Sequence, residues 1–170
     1  MVGLVLSLVS LGCGGTPMDQ QIPINRSRRY ERSVDTLGVE GIVPASGAKV
    51  WEVLPAVLTD LGLDINFREP AGRRIGACYQ KVRARLAKAA LSTFLDCGET
   101  RGIPNADRFE VALTVLVTVV PSTAQTAKIY TFVLGVGVDG SGTSSNRLWC
   151  YSKGTLEERI RTGVEDRLRS

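Results

Sequence analysis

Apolar and polar residues alternate with a period of two through most of the stretch from Arg108 to Val138. Phe109, Val111, Leu113, Val115, Val117 and Val119 fall on one side, and Glu110, Ala112, Thr114, Leu116, Thr118 and Val120 on the other. After Pro121-Ser122-Thr123 the alternation resumes, with Tyr130, Phe132, Leu134, Val136 and Val138 opposite Ala127, Ile129, Thr131 and Val133. A period of two is the mark of a half-buried strand. The pattern predicts two long antiparallel strands, joined at the Pro-Ser-Thr step, as the spine of a sheet.

The spacing becomes helical in two other places. Val50, Trp51, Leu54, Val57, Leu58 and Leu61 form one broad apolar stripe, with Ser46 placed to cap it, Gly62 to stop it and Pro55 to bend it near Trp51. Near the C-terminus Leu156, Ile160, Val164 and Leu168 recur every fourth residue, separated mostly by Glu, Asp and Arg. Thr155 and Glu158 have capping-box spacing at its start, and Gly163 is its one weak helix former. On this spacing Arg161 falls off the buried face.

Shorter segments complete the order. Val39 to Val43 reads as a strand ended by Pro44, and Leu63 to Arg68 with Arg73 to Val82 as a hairpin. Arg83 to Ala90 fits strand, coil or short helix. Leu91 to Cys97 is apolar enough to be buried, Gly98 to Ala106 reads as a loop, and Asp139 to Ser145 as a Gly/Ser turn before a last strand, Arg147 to Ser152. Both helices need an apolar surface, and the inner face of the sheet is the large one available. The expected fold is α+β, an antiparallel β-sheet covered on one face by two helices, over residues 38–170.

The first residues read as an address. Met1 to Gly12 is an uncharged apolar run, too short to span a bilayer, followed by Cys13-Gly14-Gly15. Ser10-Leu11-Gly12-Cys13 resembles a bacterial lipobox, although Ser10 and Leu11 depart from its usual residues and no Lys or Arg precedes the run. The expectation is a signal peptide over 1–12, lipidation at Cys13 and a flexible tether over 13–37. Arg26, Arg28, Arg29 and Arg32 in that tether could rest on anionic headgroups or simply be solvated.

A lipidated cysteine, a tether and then a strand followed by a helix with Ala48, Val50, Trp51 and Leu54 resembles the helix-grip domains of BamC-type lipoproteins, components of the outer-membrane β-barrel assembly machine. The resemblance covers roughly Val39 to Leu168 and carries no catalytic residues. It implies a non-enzymatic binding or assembly module on the periplasmic side of the outer membrane, with an envelope protein as partner.

If Cys13 is lipidated, Cys78, Cys97 and Cys150 remain in an oxidising compartment, enough for one bridge and one thiol left over. Cys97, closing an apolar segment, and Cys150, in the last strand, are the preferred pair. The run Cys150-x-Ser152-x-Gly154-x-Leu156-Glu157 is also similar to a pattern in small lipoproteins. Cys78 is then expected as a free thiol that fills a strand position.

Other chemistry is thin. There is no histidine, so Ser-His-Asp and Cys-His catalysis are excluded, as are imidazole metal sites. The acidic residues define no pair, and the glycine-rich runs lack the strand-to-helix setting of a phosphate loop. The net charge of +4 permits contact with an anionic surface. Arg73 to Lys88 is basic but has only Tyr79 for stacking, so no nucleic acid is expected. No cofactor or metal is expected either. Gly135 and Gly137 could leave room beside Leu156 and Ile160 for a partner or a small apolar ligand; a carrier of such a ligand is the alternative function.

Overall fold

The computed structural model describes residues 38–139 and 147–170. The signal and tether expected over 1–37, with Cys13, lie outside the described residues, as does nearly all of the Gly/Ser turn. Strand β1 (Val39–Val43) leads into helix α1 (Gly47–Asp60), then β2 (Phe67–Glu69), β3 (Arg74–Arg83), β4 (Arg85–Leu86) and β5 (Ala89–Ala90). After these come β6 (Leu95–Asp96), β7 (Glu99–Thr100), β8 (Ile103–Pro104), β9 (Glu110–Thr123), β10 (Thr126–Val138), β11 (Arg147–Ser152) and helix α2 (Thr155–Arg169). The class is α+β, with both helices on one face of a large antiparallel sheet.

Strand β10 is the centre. The seven-stranded sheet runs β2-β3-β9-β10-β11-β6, and β1 also pairs with β10. β1 takes Ala127 to Thr131 of β10 and β11 takes Leu134 to Val138, so these two strands lie end to end along the same edge. The alternation in the sequence is realised in full on the inner face. Val111, Leu113, Val115 and Val117 are wholly buried, facing a core that includes Leu54, Leu58 and Ile160. Side chains of this size contribute roughly 1.5–3 kcal/mol each on burial.

The spine turns later than the sequence suggests. β9 continues through Pro121, whose partner is Ala127, and the chain reverses between Thr123 and Thr126. β3 has already left β9 at Thr118, so Pro121 stands where the strand has a neighbour on one side only, a position where a missing N–H is tolerated.

β2 is shorter than its apolar pattern, because a bulge in β3 interrupts the ladder. The register jumps from Ala77–Val115 to Gln80–Leu113, with Cys78 and Tyr79 falling between the two registers and Tyr79 at φ 54°. Side chains replace the missing rungs. Asn66 accepts from Cys78 N–H at 2.7 Å and donates to Cys78 C=O at 2.9 Å, while Gln80 accepts from Asp64 N–H and donates to Gly62 C=O.

The ambiguous Arg83 to Ala90 segment is a miniature hairpin of β4 and β5 whose turn residues, Ala87 and Lys88, both have positive φ. The expected loop after Gly98 holds a second one, β7 with β8.

Ser46 caps α1 as its position implies, its side chain accepting from Lys49 N–H. α2 starts differently. Its N-cap is Gly154 at φ 82°, with no side-chain cap, and Thr155 and Glu158 form no capping box. Ser152 serves the terminus instead: its Oγ accepts from Gly154 N–H at 3.0 Å and donates to Glu157 at 2.5 Å. The left-handed glycine turns the chain sharply off β11, which moves the cap upstream into the strand.

Candidate functional site

Cys97 and Cys150 form a disulfide, with Cα atoms 4.1 Å apart and a sequence separation of 53. It ties the irregular segment after β6 to β11. Gly135 lies opposite Cys150 in the ladder, and a Cβ there would sit 2.8 Å from Val111 Cγ1, 3.0 Å from Cys150 Cβ and 3.1 Å from Leu95 Cδ1. At Gly137 a Cβ would meet Cys150 Sγ and Phe109. The two glycines make room for the disulfide and its neighbours. Leu156 and Ile160 are fully buried in the core. All four residues expected to offer a ligand or partner surface therefore fill the interior.

Cys78 corrects an expectation: it is disulfide-bonded, not a free thiol. The bulge is the reason it fails as a strand filler. It takes Cys78 out of the alternation of β3 and leaves it half-buried.

The face of the sheet away from the helices exposes apolar side chains. Register places Leu116 beside Phe132, Leu134 between Thr114 and Tyr151, and Val136 between Ala112 and Trp149. Phe132, Val138, Val120 and Ile42 are 37%, 40%, 38% and 57% exposed. At one margin the Tyr130 hydroxyl donates to Glu40, and Lys128 pairs with Glu40 at 3.0 Å. The Tyr130 and Lys128 contacts hold the Glu40 carboxyl below its usual range. The sequence pattern put Tyr130, Phe132, Leu134, Val136 and Val138 together on one side of their strand without assigning that side to core or solvent. The signal was available, since Tyr130, Phe132, Leu134, Val136 and Val138 are too apolar for a solvated face.

A groove of about 450 Å³ lies between the helices, with Val57, Leu61 and Gly163 beneath and Asp60, Arg167 and Arg159 around it. Asp60 and Arg167 form an ion pair, and Arg159 stacks on Phe94 at 4.9 Å while donating to Ala87 C=O. Among the described residues no group of three His, Cys, Asp or Glu side chains could hold a metal ion, and no helix is long and apolar enough to cross a membrane.

Geometry defines the class, an α+β domain with a two-helix layer on one face of its sheet and an open aromatic face on the other. Comparison with family models, curated proteins and solved structures finds no match to this chain.

Proposed function

We propose that this chain is a lipid-anchored lipoprotein of the bacterial envelope, facing the periplasm, whose domain is a non-enzymatic module that binds an envelope protein through the open face of its sheet. The observation that carries the reading is that face. Phe132, Leu134, Val136, Trp149 and Tyr151 form a contiguous apolar and aromatic surface, the composition enriched in protein interfaces and costly to leave in water. The Cys97–Cys150 disulfide supports export, because such bonds persist in oxidising compartments. The carrier alternative needs a site of roughly 300 Å³ or more beneath the last helix. The interface of α2 with the sheet is filled by Leu156, Ile160 and Val164, with a cavity of about 60 Å³ at its edge. The 450 Å³ groove lies between the two helices and not between α2 and the sheet, and Asp60, Asp166, Arg159 and Arg167 line it, a charged setting for an apolar ligand.

Cys13 carries the anchor in this proposal. Of the chain's four cysteines, Cys97 and Cys150 hold each other and Cys78 is disulfide-bonded. A sulfur alkylated by diacylglycerol cannot enter a disulfide, so the anchor requires that the partner of Cys78 not be Cys13 and come instead from a second thiol-bearing molecule.

Photo-crosslinking in intact cells tests the reading. A crosslinker in place of Phe132 should capture a discrete envelope protein that one in place of Lys49, on α1, does not, and Trp149→Asp should abolish the capture. Equal capture from both positions would overturn the docking face. Mass spectrometry of the same purified chains should find the N-terminal peptide diacylated on Cys13; a Cys13–Cys78 peptide in its place would overturn the anchor.

A further inference from the structure

We propose that the cavity beneath the first turn of α2 is a buried water site shared by Glu157 and Thr131, and that the proton on Glu157 governs how firmly α2 is seated on the sheet. The cavity, about 60 Å³, is bordered by Glu40 and Gly41 of β1, Thr131 of β10, and Glu157, Glu158 and Arg161 of α2. Glu157 is 4% exposed and Thr131 1%. Among the described residues, Glu157 Oε2 and Thr131 Oγ1 are the buried side-chain polar atoms with no hydrogen-bond partner. Both belong to this one cavity.

The chemistry of the lining selects the occupant. An anion would meet the carboxylates of Glu157 and Glu158. A cation finds no set of three ligating His, Cys, Asp or Glu side chains among the described residues, and Glu158 is already paired with Arg161. Water needs about 10–15 Å³ of probe-sized space and two to four polar partners, and it can both donate and accept. The space and the two orphaned oxygens meet that need.

Burial raises the pKa of Glu157, and the Ser152 hydroxyl and the backbone amide at the helix start oppose it only in part. The surrounding charges do not neutralise it. On α2, Arg161 is engaged by Glu158 and Glu165; on β1, the Glu40 carboxylate turns to the other face of the sheet with Lys128 and Tyr130; Lys153, just ahead of the helix, donates to Ser92 C=O. β10 turns Thr131 and Ile129 to this side, with Lys128 and Tyr130 on the opposite face. The folded pKa therefore lies above the unfolded one. The stability contributed by the protonated form is complete below the unfolded pKa and is lost as pH rises through the folded value.

Urea unfolding of the oxidised protein from pH 4 to pH 8 tests this, with Glu157→Gln as the variant that cannot ionise. The ratio of wild-type to variant unfolding constants should rise severalfold across that range and then level, and α2 amides of the wild type should lose protection from hydrogen exchange over the same interval. Parallel pH curves, or a wild type that gains on the variant, would overturn the proton linkage. Carbon-13 NMR of the Glu157 carboxyl gives a readout in the wild type itself, and a midpoint at or below the ordinary carboxylate range would refute it independently. Thr131→Val removes a partner of the water and should move that midpoint further up; an unchanged midpoint would remove the shared water from the proposal.

Discussion

Gly163 is unfavourable for a helix by roughly 1 kcal/mol relative to alanine, yet it occupies the middle of α2. A Cβ there would sit 2.8 Å from Val57 Cγ1 on α1, so the glycine is where the two helices touch. Valine in a helix has one strongly preferred rotamer and cannot turn aside cheaply. Gly163→Ala should therefore destabilise the protein by about 1–3 kcal/mol despite the better helix propensity. Combining it with Val57→Ala should recover part of the loss, and a double-mutant cycle from urea melts would measure the coupling. Strictly additive effects would show that the helices do not meet there.

Helix α2 is held by its apolar stripe, but its polar side is not idle. Leu156, Ile160 and Val164 are fully buried and Leu168 partly so, as the four-residue spacing implies. Arg161, expected off the packed face, lies with its stem against Gly41 of β1, where a Cβ would be 3.0 Å from Arg161 Cδ. Its guanidinium pairs with Glu158 and Glu165, which raises its pKa and lowers that of Glu158. Ile160→Ala should cost about 2–5 kcal/mol. Arg161→Glu should exceed the roughly 0.5 kcal/mol of an ordinary surface change, because three carboxylates at 158, 161 and 165 would then line one side of two successive turns, and should still cost less than Ile160→Ala. Denaturant melts of the two variants give the order; the reverse order would mean that α2 is docked mainly by charge.

At the scale of the whole molecule, one covalent link fastens the irregular part to the regular part. Residues from β4 to β8 form only two-residue strands, and β6 joins the main sheet through Asp96 and Leu95 alone. The Cys97–Cys150 bond closes a long loop beside that weak contact. Replacing both cysteines with alanine should lower stability by about 4 kcal/mol on the entropic account. Protection from hydrogen exchange should fall first between Leu91 and Ala106, while the β9–β10 ladder persists. Uniform loss across the sheet would argue that the link stabilises the fold as one unit.

Periodicity alone determined the long strands β9 and β10, both helices and the α+β class, because a sheet face and a helix stripe are repeated many times over in a one-dimensional pattern. The Cys97–Cys150 pairing was legible because one cysteine ends an apolar run and the other stands in a strand. Only tertiary structure decided the rest. The bulge at Cys78 depends on Asn66 and Gln80, side chains 12 and 16 residues away from the backbone groups they serve. Gly135 and Gly137 acquired their meaning from the disulfide packed over them, and Gly163 from Val57 on another helix. Glu157 became a buried acid because Gly154 turns the chain so that the first turn of α2 faces inward. Local pattern records which face of an element is apolar. It does not record what that face meets, because the neighbour is set by how distant segments pack.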